Sequence, residues 1–230
     1  MGTNNAINCH STGIIKYDGA GTFSSTTTTA HDVLVGAASN GITNITPGST
    51  STVLRSGGAA ADPAWTSAFT VSSSDVMQNT KQPYFQVYLS TNKTNVTGAN
   101  VLYTIPWDTV VTDQASNFTT GASANFAAPV TGQYFFSVGI EVYGLAAGNT
   151  SGLFQLTRSD GAFWTGGLFN FANLANSGGA CIPTASFALG MTAAQTIKVQ
   201  LQVAGGTQIV NVAGGTSTQY LTYWSGFLIC

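Results

Sequence analysis

From residue 81 onward, apolar side chains recur at every second position. Phe85, Val87 and Leu89 share one face of a strand. Tyr134, Phe136, Val138, Ile140 and Val142 line one face of a longer one, with Ser137, Gly139 and Glu141 opposite. Ile197, Val199, Leu201 and Val203 alternate with Lys198, Gln200 and Gln202. A period of two marks half-buried antiparallel strands, because successive side chains of extended backbone point to opposite faces. Glycines punctuate the pattern at Gly121, Gly132, Gly148, Gly161, Gly178-Gly179, Gly205-Gly206 and Gly214-Gly215, and no segment sustains a helical period. Many short strands with frequent turns predict an all-β antiparallel sandwich of jelly-roll type.

Upstream of Lys81 the pattern is different. Aromatics are sparse, Thr26 to Thr29 is a run of threonine, and short apolar runs closed by glycine recur. Ile14-Ile15-Lys16-Tyr17-Asp18-Gly19, Val33-Leu34-Val35-Gly36 and Val53-Leu54-Arg55-Ser56-Gly57 follow one another at spacings of about 20 residues. Segments this short cannot bury an apolar face alone; they need stacked neighbours or copies from other chains. Residues 1–80 therefore read as an N-terminal β-repeat shaft or attachment region, and residues 81–230 as a head. A Ser/Thr-rich linker is the competing reading for residues 1–80.

Composition narrows the function. Charged residues make up only 6% of the chain, yet 43% is hydrophobic and 11% aromatic, enough for a real core. The six Lys and Arg are scattered singly, so no basic stripe is available to neutralise phosphates, and nucleic acid is excluded as a partner. No apolar run approaches the ~20 residues of a membrane-spanning helix, so no membrane insertion is expected. Met1 to His10 lacks the basic and apolar regions of a secretory signal.

The chemistry-bearing residues are few. Cys9, Cys181 and Cys230 are too dispersed for a metal site; they read as free or buried thiols, or as an intersubunit disulfide through Cys9 or Cys230. His10-Ser11 and His31-Asp32 lack any nucleophile elbow, and Glu141 is the only Glu. Asp108, Asp113 and Asp160 stand in strand-end or turn contexts, where Asp is normally structural. No catalytic residue, metal site or cofactor is expected. Sequons at Asn44, Asn92, Asn95, Asn117 and Asn149 are glycan sites only if a eukaryote secretes the protein.

Two stretches resemble known families. Phe126-Ala127-Ala128-Pro129-Val130-Thr131-Gly132-Gln133-Tyr134-Phe135-Phe136-Ser137 resembles the signature of the C1q domain, a C1q/TNF-like jelly roll. Tyr223-Trp224-Ser225-Gly226-Phe227-Leu228-Ile229 is similar to that family's closing strand, and Ile105-Pro106-Trp107-Asp108-Thr109-Val110 to its apolar-Asp-x-Val strand. In the head, Phe126, Pro129, Gly132, Tyr134, Phe136, Gly226 and Phe227 are thus fold-signature and core residues. Pro129 suits a strand end, Gly132 a turn, and Tyr134 and Phe136 the core. Two features depart from the family: Ala194-Gln195 stands where Gly-Asp is usual, which removes a charge-based role there, and no Gly-X-Y stalk exists. Between His31 and Trp65, the runs His31-Asp32-Val33-Leu34-Val35-Gly36, Ile42-Thr43-Asn44-Ile45-Thr46-Pro47 and Ser51-Thr52-Val53-Leu54-Arg55-Ser56-Gly57-Gly58, ending at Asp62-Pro63-Ala64-Trp65, resemble a motif of phage and large-virus fibre proteins and some bacterial surface proteins.

The resemblance implies a homotrimer, so the expected partners are copies of the chain itself, a cell-surface receptor or glycan at the head, and a virion or surface anchor through the N-terminal region. The expected location is a virion surface or the extracellular space. Trp164, Asn170 and Asn173 are candidate ligand-loop residues, although the same side chains would suit a core. Two other readings stay open: a secreted C1q-like recognition or adhesion module, and a polysaccharide-acting jelly-roll enzyme using Glu141 or Asp108.

Overall fold

A computed structural model describes residues 13–17, 23–37 and 41–230; Cys9 and His10 lie outside them. The chain divides between Thr80 and Lys81 into two compact units. Among the described residues, no helix is long and apolar enough to cross a membrane.

The first unit is built of local antiparallel pairings. Strand β1 (Gly13–Tyr17) pairs with β2 (Phe23–Thr27), and β3 (Val33–Ala37) with β4 (Gly41–Ile45). Strands β5 (Thr52–Arg55), β6 (Ala64–Val71) and β7 (Met77–Asn79) form a meander. Polar links hold these pieces: Asp32 Oδ2 accepts from the Thr29 N–H at 2.8 Å and from the Asn44 amide at 3.1 Å. Trp65 donates its indole N–H to the Thr46 carbonyl at 2.7 Å and lies over Gly48, where a Cβ would meet the ring at 2.6 Å. None of the side chains described between residues 28 and 80 is buried.

The second unit runs through β8 (Tyr84–Tyr88), β9 (Lys93–Thr97), β10 (Val101–Thr104), β11 (Thr109–Gln114), β12 (Phe118–Thr119), β13 (Asn125–Ala127) and β14 (Gly132–Gly139). It continues with β15 (Val142–Tyr143), β16 (Ser151–Arg158), β17 (Phe163–Leu168), α1 (Phe171–Leu174), β18 (Ala180–Cys181), β19 (Thr184–Met191), β20 (Thr196–Ala204), β21 (Val210–Val212) and β22 (Tyr223–Leu228). The first sheet has the order β11-β8-β22-β14-β19; the second has β12-β13-β20-β16-β17, with β10 also on β20. A smaller sheet joins β18, β15, β21 and β9.

The pairings nest. Strand β8 pairs with β22 in the first sheet, β13 with β20 in the second, β14 with β19 in the first, and β16 with β17 in the second. One long antiparallel hairpin, rolled so that successive rungs alternate between two facing sheets, is a jelly roll. The predicted alternation holds at side-chain level: Phe85, Val87, Leu89, Tyr134, Phe136, Val138, Ile140, Val142, Ile197, Val199, Leu201 and Val203 are all buried between the sheets.

Register explains the glycines and aromatics of the signature. Across the inner face of the first sheet, Phe85, Gly226, Phe136 and Phe187 form one row, and Val87, Trp224, Val138 and Ala185 the next. Gly226 stands between Phe85 and Phe136, and its lack of a side chain makes room for both rings. A Cβ on Gly226 would lie 2.5 Å from the Phe136 ring and 2.7 Å from Phe85. Gly226→Ala is therefore expected to cost about 1–3 kcal/mol through overpacking, read as a lowered urea midpoint. Gly132 departs from the turn role expected of it. It opens β14, outside the glycines of positive φ, and it is required because a Cβ would meet the Cys230 carbonyl at 2.4 Å and Leu228 at 2.7 Å. Close approach of the last strand, not turn geometry, excludes a side chain there. Ala194 takes φ 69° at the β19–β20 turn, a conformation glycine adopts without strain, and Gln195 closes that turn by accepting from the Thr192 N–H at 2.9 Å.

Candidate functional site

The outer face of the first sheet is the most distinctive surface of the head. The run Tyr134-Phe135-Phe136 cannot bury all three rings in a strand; Tyr134 and Phe136 point inward, so Phe135 points out. In register it stands beside Phe227 of β22, which stands beside Tyr84 of β8, and on its other side is Ala188 of β19. The Phe135 and Phe227 ring centroids are 5.3 Å apart, and Phe227 remains 42% exposed. The next row is Gln86, Ser225, Ser137 and Ser186, and the third is Tyr88, Tyr223, Gly139 and Thr184. Across these three rows no residue is charged. The face can make apolar and hydrogen-bonded contacts with a like surface without burying an ion.

Asp113 and Asp160 are held within their own turns, and Asp108 by the Ser90-Thr91 segment upstream. Burial by itself raises the Asp108 carboxyl, but bonds from the Ser90 N–H at 2.7 Å and from the hydroxyls of Thr109 and Thr91 outweigh it, and its titration lies below the ordinary carboxylate range. Lys93 stands 3.6 Å away. Asp113 accepts from the Asn117 and Phe118 N–H groups, each at 3.0 Å. The Arg158 guanidinium, donating to Asp160 through Nε and Nη2, holds that carboxyl at about 2, against an ordinary 3.8.

A folded-state value below the unfolded one contributes stability that is present above the unfolded value and disappears as pH falls through the folded one. The thermal midpoint is therefore expected to stay level from about pH 7 to about pH 5 and to decline between about pH 4 and about pH 2. The double change Asp108→Asn and Asp160→Asn should flatten that limb. A wild-type midpoint unchanged at pH 2 would remove both carboxylates from the stability account.

Among the described residues, no group of three or more His, Cys, Asp or Glu is placed to hold a metal ion. His31 is exposed at a turn of φ 70°, and Asp32 caps backbone and Asn44. Cys181 and Cys230 are free thiols; burial, reinforced by the charge of Glu141, pushes the Cys181 thiol up and away from thiolate reactivity. Asn149 is 1% exposed, its amide oxygen accepting from the Ala146 N–H at 2.8 Å, so that sequon is closed to a glycan in the folded head.

The remaining sequence-selected residues fall in three different settings. Trp164 lies in β17, not in a loop, with the Arg158 guanidinium 5.0 Å from its ring centroid. Asn170 caps α1, its side chain accepting from the Asn173 N–H, and it lines a cavity of about 430 Å³ with Gln202, Asn100 and Phe169. Asn173 is exposed on the helix and lies outside that lining. Phe126, Tyr134 and Phe136 are buried in the core; Pro129 is exposed just beyond β13; and Phe227, grouped with the core residues, faces outward one step out of phase with Gly226. Sequence reasoning passed over Phe135, although its position between two buried aromatics was the signal.

No protein-family model matches the chain, and no curated protein matches it in sequence. Among solved structures it is similar to the globular domain of zebrafish complement 1qA protein, with 14% identity and a TM-score of 0.45 over 64% of this chain and 98% of that one. It is also similar to murine APRIL at pH 8.5, with 10% identity and a TM-score of 0.42 over 65% of this chain and all (100%) of that one. For murine APRIL at pH 8.0 the figures are 9% identity and a TM-score of 0.44 over the same shares.

Proposed function

We propose that the chain forms a homotrimeric fibre or spike on a virion or cell surface, with residues 1–80 as shaft and attachment segment and the jelly-roll head as the part that binds a receptor or glycan. The observation that carries the reading is the uncharged aromatic row Tyr84, Phe227 and Phe135 on the outer face of the first sheet. The occupant that fits it is another copy of the same chain. An uncharged ring surface offers nothing to steer a charged partner, while three copies around an axis bury it without bringing like charges together. The first unit supports the same reading, since none of the side chains described between residues 28 and 80 is buried, and such strands gain a core by winding with their counterparts.

The light-scattering mass of the full chain tests it. Three times the chain mass of 23.6 kDa is expected at micromolar concentration. A single-chain mass overturns the trimer and, with it, the fibre.

A further inference from the structure

The outer face of the second sheet mixes polar side chains with the exposed Leu102, Phe163 and Leu168, and it carries one uncommitted cation. Lys198, Gln200 and Gln202 project from β20 on the side away from the core, beside Thr157, Gln155 and Leu153 of β16. A cavity of about 350 Å³ opens at the Lys198 end, with Thr104, Thr157, Thr196, Asn125 and Ser159 in its wall. That volume is at the small end of the ~300–1,000 Å³ of ligand pockets.

The groups are ordered before any ligand arrives. The Gln155 amide donates to Thr157 Oγ1 at 2.9 Å, that hydroxyl donates to Gln200 Oε1 at 2.8 Å, and the Gln200 amide donates to Thr104 Oγ1 at 3.1 Å. Gln200 is only 8% exposed, so this network is fixed in the sheet. It ends on the Thr104 hydroxyl, whose own proton remains to be donated. Arg158 is in the same wall but committed: Nε and Nη2 hold Asp160 and Nη1 donates to the Gly190 carbonyl at 2.6 Å. Lys198, by contrast, makes no hydrogen bond or ion pair with any described residue. Four residues further along β20, about 13 Å at strand spacing, Gln202 lines the second cavity, of about 430 Å³, where Asn100, Asn170 and Ser151 adjoin apolar Leu168 and Phe169.

Hydroxyl and amide groups beside an apolar patch match a sugar ring, which presents hydroxyls at its edge and C–H groups on its faces. One free ammonium matches one carboxylate; a phosphate dianion calls for several donors or a backbone nest. We infer that this face binds an acidic oligosaccharide, with the sugar carboxylate at Lys198 and a neutral residue of the same chain in the Gln202 cavity. The inference rests on the reading of the head as a recognition module and specifies its ligand class. A sialic acid and a uronic acid present the same carboxylate.

The test titrates the full chain with 3′-sialyllactose against lactose, and with a hyaluronan tetrasaccharide, which alternates uronate and neutral sugars, against its methyl ester. At least one acidic probe is expected to bind at least about tenfold tighter than its neutral counterpart, as a formed ion pair predicts. Lys198→Gln should abolish that difference and leave the neutral probe unchanged. Equal binding of acidic and neutral forms, absence of binding by both acidic probes, or an acidic preference that survives Lys198→Gln overturns the site. The two readings separate cleanly. A trimer that binds neither acidic probe rejects the site and keeps the fibre reading, whereas a monomer that binds through Lys198 keeps the site and rejects the trimer.

Discussion

Replacing Trp224 by alanine is expected to cost the head about 3–5 kcal/mol, the range for deleting a buried aromatic side chain. Trp224 has no exposed surface, and its ring is 4.9 Å from Phe85, 5.4 Å from Phe118, 5.9 Å from Phe136 and 6.0 Å from Trp107, centroid to centroid. Its neighbours come from both sheets, so the void cannot be closed by moving one strand. Against a typical domain stability of about 5–15 kcal/mol, such a loss takes a large part of the total. Urea unfolding followed by far-ultraviolet circular dichroism, at one fixed protein concentration, reads the effect. Trp224→Phe is the informative control. The indole N–H of Trp224 is buried without a hydrogen-bond partner, as is that of Trp107, so both residues serve here as volume. Phenylalanine keeps one ring in place and removes an unsatisfied donor, so it is expected to cost clearly less than alanine. A loss in Trp224→Phe as large as that in Trp224→Ala would mean that the retained ring does not fill the site.

The change Phe227→Asp is expected to convert the proposed trimer to a monomer without unfolding the head. Phe227 belongs to the outer row, 42% exposed in the single chain, so its removal leaves the core intact. In the proposed trimer each new carboxylate would be buried with no cation on the three outer rows to pair with it. An unpaired buried charge costs several kcal/mol, and each 1.4 kcal/mol is a factor of about ten in affinity. The dissociation constant should therefore rise by at least about a thousandfold, and the scattering mass should drop to that of one chain while the circular dichroism spectrum keeps its strand signature. Ser225→Ala, in the polar row beside it, should leave the mass unchanged. A trimeric mass for Phe227→Asp would mean that this face is not the interface.

The two variants divide the consecutive residues of one strand. Trp224 and Gly226 face the core; Phe227 faces outward, one residue further on. This is why a resemblance that groups Gly226 and Phe227 as one signature joins two roles, a core position and a surface position.

The sequence by itself determined which residues face inward, because extended backbone turns successive side chains to opposite faces and a period of two is visible in any single strand. Tyr134, Phe136 and Val138 on one side, and Lys198, Gln200 and Gln202 on the other, were legible for that reason. So were the turn-bound carboxylates, since Arg158 and Asp160 are two residues apart and Asp113 caps its own turn. Tertiary structure alone decided everything that depends on which strands are neighbours. The need for glycine at position 226 arises only because Phe85 and Phe136 flank it, and at position 132 only because Cys230 returns beside it. The aromatic row exists because β8, β22 and β14 lie side by side in one register, and the Lys198 groove because β10, β20 and β16 do. Such pairings join segments as distant as residues 85 and 226. They are set by how two sheets fill a shared core, a condition on the whole chain that no local pattern records.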